Sequence, residues 1–157
     1  MVKIFRRARR SSSMIILVGC VKTKVEFPTE AGKLYISPLF KKTVRFIQAE
    51  PECDDWFILS AKYGLIEKTK IIAPYELTLN SFSSPKLKEW AEDVFEEIKK
   101  RKLQDLHFYC GSRYHNAHLL RLLDEHLIRY HLPLLGKTLG QRLRYFNSLN
   151  QTKGFDL

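Results

Sequence analysis

Three short apolar runs, each closed by a glycine or a serine, constrain this chain more than any other feature. Ile15-Ile16-Leu17-Val18 ends at Gly19, Trp56-Phe57-Ile58-Leu59 ends at Ser60, and the run over residues 106–110 ends at Gly111. Runs without polar alternation suit strands buried on both faces, as parallel strands are. The segments between them carry helical spacing. Ser37-Pro38 pairs a capping serine with a proline suited to the first helical position, and Leu39, Phe40, Val44 and Ile47 follow on one face. Ser84-Pro85 repeats that start, and Leu87, Trp90, Ala91, Val94, Phe95 and Ile98 predict a helix to about Lys102. Ser112 can cap a third helix bearing Leu119, Leu120, Leu122, Leu123 and Leu127. Residues 131–135 are a candidate fourth strand. Thr138-Leu139-Gly140-Gln141 has the capping-box pattern ahead of a last helix with Leu143, Phe146 and Leu149.

Strands alternating with helices predict an α/β fold: one domain with a mostly parallel central sheet of about four strands flanked by helices. The 157 residues, 45% of them apolar, suit one domain of ordinary size. Its expected limits are 14–150, with a flexible basic arm over 1–13 and a tail over 151–157. The alternative reading of 1–13 is sequence upstream of a natural start at Met14. The formal charge is +10, and Lys3, Arg6, Arg7, Arg9 and Arg10 all precede the first apolar run. The folded part is therefore only moderately basic, and the arm suits non-specific phosphate contact. No apolar run approaches the roughly 20 residues that span a bilayer. A cytoplasmic protein without membrane association is expected. Cys20, Cys53 and Cys110 are too few and too scattered for a disulfide framework.

In open parallel sheets, ligands bind beyond the carboxyl ends of the strands. Here those ends carry Gly19-Cys20-Val21-Lys22-Thr23-Lys24, Ser60-Ala61-Lys62-Tyr63-Gly64 and Gly111-Ser112-Arg113-Tyr114. Ammonium groups favour a thiolate, so Cys20 beside Lys22 and Lys24 is a candidate nucleophile; the other reading is a small strand-end residue. Lys22, Lys24 and Lys62 are candidates for binding phosphate or a carboxylate; Lys62 sits in a tight turn where backbone amides also favour anions, and it is a candidate for covalent chemistry as well. Tyr35, Tyr63, Tyr75 and Tyr114 fall in loops or at element ends, where phenol rings can stack on a base. Arg113 can hold phosphate, and Glu76 is the motif-linked carboxylate that glycosidic hydrolysis would need. His115 and His118 form an i, i+3 pair near Cys110, but no second cluster with ligand spacing completes a site. Neither a metal nor another cofactor is expected. There is no P-loop, no dinucleotide fingerprint and no Gly-x-Ser-x-Gly elbow.

Several of these motifs recur together. Gly19-Cys20-Val21-Lys22-Thr23-Lys24, then residues 35–42 (Tyr35-Ile36-Ser37-Pro38 onward), Ser60-Ala61-Lys62-Tyr63-Gly64-Leu65, Ile72-Ala73-Pro74-Tyr75-Glu76-Leu77 and Gly140-Gln141-Arg142-Leu143 resemble an uncharacterised bacterial, archaeal and phage domain family. The resemblance spans about residues 15–146. That family is distantly similar to the YaaA group, which is linked to peroxide stress and DNA binding. A weaker similarity is to the catalytic domain of archaeosine synthase, which acts on a nitrile-bearing deazaguanine in tRNA. The resemblance implies an active Cys20 with matching parts for Lys24, Tyr35 and Ser37; Ser60, Tyr75, Gly111, Gln141 and Arg142 are further candidate binding residues. Val25 stands after Lys24, where archaeosine synthase has a Lys-Pro-Tyr run.

The expected function is a nucleobase- or nucleotide-processing enzyme, base-modifying or glycosylase-like, acting on nucleic acid or its components. Cys20, Lys62 and Glu76 are its candidate catalytic groups. The alternative is a non-catalytic DNA- or RNA-binding protein using its basic arm in stress or phage-related processes. A third reading is a small-molecule nucleotide or amino-acid binder that serves a partner protein.

Overall fold

The structure, a computed structural model, describes residues 14–21 and 24–152, with side chains through 150. The expected basic arm, most of the expected tail, and Lys22 lie outside the described residues. Strand β1 (Met14–Gly19) is followed by β2 (Thr29–Glu30), α1 (Ala31–Leu34) and α2 (Pro38–Ala49). Next come β3 (Cys53–Ser60), β4 (Gly64–Glu67), β5 (Ile71–Ile72) and α3 (Ser84–Lys100). The chain closes with β6 (Leu106–Tyr109), α4 (Ala117–Glu125), β7 (Tyr130–His131) and α5 (Leu139–Thr152).

The central sheet has five strands in the order β4-β3-β1-β6-β7. β1 runs parallel to β3 and β6, β6 runs parallel to β7, and β4 alone is antiparallel, folding back on β3. The antiparallel edge strand is a feature that the sequence reading missed. It follows from Gly64, whose φ of 71° lets the chain reverse within a tight turn. Ile16, Leu17, Ile58, Leu59, Leu106 and Phe108 have no exposed surface, as expected of strands covered on both sides. α2 and α5 cover one face, through Phe40, Phe46, Ile47 and Phe146. α3 and α4 cover the other, through Leu87, Trp90, Val94, Leu119 and Leu123.

The caps refine the expected helix starts. Ser37 accepts the Phe40 amide as expected, and Thr138 and Gln141 exchange reciprocal bonds. α3 is capped by Ser83, not Ser84. Ser112 opens a 3-10 turn over Ser112–His115, and Asn116 caps α4 instead, its side chain accepting the Leu119 amide. The last strand covers Tyr130–His131 and not 131–135. No helix among the described residues is long and apolar enough to cross a membrane.

β1 leads through α2 to β3 on one side, while β3 and β4 lead through α3 to β6 on the other. The connections part at the end of β1, opening a crevice there. The strands approach closely at its floor: a Cβ built on Gly19 would lie 2.7 Å from the Cys110 Cβ. Gly19→Ala is therefore expected to destabilise the protein by about 2 kcal/mol. Gly111→Ala, where the nearest atom is an Arg142 nitrogen at 3.7 Å, should be nearly neutral. Urea denaturation midpoints of the two variants check this.

Candidate functional site

β1 delivers Cys20 to the crevice, because its amide donates to the Leu59 carbonyl at 2.9 Å and prolongs the strand by one residue. Tyr114 arrives from the other side, on the 3-10 turn after β6. The Cys20 Sγ and Tyr114 Oη are 2.9 Å apart, and the Tyr114 ring packs edge-on against Trp90. Burial pushes the Tyr114 phenol well above its ordinary range, and the adjacent Cys20 adds to the shift. Tyr114 therefore stays protonated and its hydroxyl is available to donate to the sulfur.

Cys20, Tyr114, Gly111, Arg113 and Arg142 line a cavity of 450 Å³, within the usual size of small-molecule sites. Leu39, Phe40, Leu77 and Leu134 give it apolar walls, and among the described residues no carboxylate lines it. The two guanidinium groups are held differently. Arg113 donates from Nε to the Leu79 carbonyl and from a terminal nitrogen to the Phe82 carbonyl, fixing the loop that forms one wall. Arg142 donates only its Nε, to the Lys137 carbonyl, so among the described residues its terminal nitrogens are open to a ligand.

A chain of buried hydroxyls borders Cys20 on the β3 side. The Ser60 Oγ accepts the Lys62 and Tyr63 amides at 3.2 and 3.0 Å, and lies 2.7 Å from the Tyr75 Oη. With both lone pairs engaged, its own proton points to Tyr75. The Tyr75 Oη is in turn 2.6 Å from the Tyr35 Oη. Burial raises both phenols out of the physiological range, and Cys20 adds to each shift. Trp90 completes the anchoring by donating to the Ser60 carbonyl at 2.9 Å.

Lys24 lies over the Tyr75 ring, 4.5 Å from its centroid. Burial lowers its pKa, against the opposing pull of Cys20 and Glu76. Lys24, Tyr75 and Glu76 line a second hollow of 610 Å³ that meets the first at Thr78. The structure thus gathers Cys20, Lys24, Tyr75, Glu76, Gly111, Arg113, Tyr114 and Arg142 into two adjoining hollows. Tyr35 and Ser60 stand behind them as buried supports.

Other candidates are placed elsewhere. Lys62 is exposed, with its ammonium 5.3 Å from the Tyr63 ring centroid, and lines neither hollow. Tyr63 touches the Tyr75 ring edge-on and faces a different groove. Ser37 and Gln141 are engaged in helix caps. His115 is buried against the Phe108 ring. Leu39, Phe40, Thr43 and Leu134 line the first cavity without any sequence motif to announce them.

A model of a family of unknown function, DUF6884, matches residues 15–148. The chain belongs to that family. The match agrees with the uncharacterised domain family that the motifs resemble, and it takes in every element that lines the two hollows. No curated protein and no solved structure matches the chain.

The three thiols differ in access. Cys110 is buried, and burial pushes its pKa up, against the opposing pull of Arg142. The Cys53 thiol is pushed up to about 11 by burial, with Asp55 and Asp54 adding to it. Iodoacetamide at pH 8 should therefore label Cys20 first. Cys53 labelling should rise about tenfold per pH unit and level off above pH 11, as its thiolate fraction saturates. Peptide mapping by mass spectrometry across that range reads both.

Proposed function

We propose that the protein is a nucleobase- or nucleotide-processing enzyme whose nucleophile is Cys20. The observation that carries this reading is the Cys20–Tyr114 pair at the floor of a cavity with apolar walls, two arginines and, among the described residues, no carboxylate. Apolar walls accept an aromatic ring, and open guanidinium nitrogens donate to phosphate oxygens. The likeness of the motifs to the YaaA group, and more weakly to archaeosine synthase, supports nucleic acid or its components as the substrate class.

The chemistry such a floor suits is addition of the thiol across a carbon–nitrogen multiple bond. The Cys20 sulfur forms a bond to the electron-poor carbon, and one π bond of the substrate breaks. The displaced pair takes up a proton at nitrogen, replacing the proton lost from sulfur, and Tyr114 is placed to pass it. Glycosidic hydrolysis fits less well, because Glu76 faces the adjoining hollow and is paired electrostatically with Lys24. Lys62 has no place in this chemistry.

Incubation of the full chain with modified and unmodified DNA, tRNA and free nucleotides, read by mass spectrometry of products and of intact protein, tests the proposal. A mass change in one substrate, or an adduct on Cys20, is expected. Cys20→Ser should abolish it, Tyr114→Phe should slow it about 100-fold, and Arg142→Ala should weaken substrate binding about tenfold or more. An unchanged profile over the whole panel overturns the enzyme reading.

A further inference from the structure

At the opposite edge of the sheet, the amino ends of β6 and β7 bring together three metal-ligating side chains. β6 and β7 pair in register, with His107 beside His131, so both rings leave the same face. The rings stack with centroids 4.2 Å apart and planes 21° from parallel. Both present Nε2 to one carboxylate: Asp105 lies 2.9 Å from His131 and 3.5 Å from His107. The ligand atoms of all three lie within 4.8 Å of one another.

The arrangement is fixed before any ion arrives. Asp105 directly precedes β6, and its carbonyl accepts the Ile15 amide of β1 at 3.1 Å. Its backbone is in the left-handed region, at φ 53°, which turns the carboxylate toward the two rings. Asp105 and His107 are largely shielded, whereas the His131 side chain is 47% exposed, so solvent reaches the cluster from one side. Glu50 adds negative charge toward His107.

These features fit a cation. Two stacked rings whose Nε2 atoms face one carboxylate direct two nitrogen donors and one oxygen donor toward a common point. Metal–ligand bonds of about 2.0–2.2 Å around a tetrahedral centre put the ligand atoms roughly 3.3 Å apart. The 2.9 Å contact of His131 with Oδ1 and the 3.5 Å contact of His107 with Oδ2 of the same carboxylate lie near that separation. Two imidazole nitrogens with one carboxylate oxygen suit borderline transition metals, not Mg²⁺ or Ca²⁺, which need more oxygen donors.

We propose that Asp105, His107 and His131 form a binding site for a borderline divalent transition-metal cation of the Zn²⁺ class, with water completing the coordination. This site is separate from the Cys20 cavity and does not depend on the function argued for that cavity.

Calorimetric titration of the full reduced chain with Zn²⁺, and absorption spectroscopy with Co²⁺, test it. One ion per chain is expected, with a dissociation constant on the order of 1 μM or tighter and no comparable Mg²⁺ binding. His131→Ala and Asp105→Asn should each weaken Zn²⁺ binding by about 100-fold or more, while Cys53→Ser leaves it unchanged. His131 is half exposed, so His131→Ala keeps the fold, which circular dichroism verifies. The Co²⁺ complex should show ligand-field bands without a thiolate charge-transfer band. Absence of saturable binding, binding that survives both His131→Ala and Asp105→Asn, or a thiolate band in the Co²⁺ spectrum would overturn the proposal.

Discussion

The bond from the Cys20 amide to the Leu59 carbonyl lies one residue beyond the last paired position of β1. It keeps the chain extended past Gly19 while the neighbouring strands turn away. The Cys20 side chain consequently packs against the cores on both faces of the sheet. Gly19 makes this possible, since any larger residue would push Cys110 and the turn bearing Tyr114 away. The sulfur, the phenol and the arginine-lined walls all take their positions from that junction.

On the β3 side, order comes from polar groups held out of water. Ser60 is fully buried, yet its hydroxyl and carbonyl meet two amides, a phenol and an indole. A buried polar group so fully satisfied stabilises one arrangement and penalises others, because any displacement leaves a donor or acceptor unmet. The Tyr75 and Tyr35 rings therefore form a fixed wall beside Cys20, and Lys24 rests on that wall.

Much of this was legible in the residue order. Continuous apolar runs marked β1, β3 and β6, and the rule that ligands gather at the carboxyl edge brought Cys20 and Tyr114 together before any coordinates. β4 escaped because Gly64-Leu65-Ile66-Glu67 is short and gains its identity only by folding back on β3. β2 pairs over only two residues, too few to leave a pattern of its own. The exposed position of Lys62 depends on a turn whose direction the sequence leaves open. Phe40 and Leu134 enter the cavity wall through helix and loop packing. The Asp105 cluster was hidden for another reason: it needs the register of β6 against β7, and a last strand read as 131–135 instead of 130–131 loses it.

The sheet's borders carry a consequence of their own. Its outermost strands, β4 and β7, span only four and two residues. A long flat border would offer a ladder of unmet amides and carbonyls to any extended chain that drifted past. These stubs offer almost none, so brevity itself shields the fold from templated aggregation.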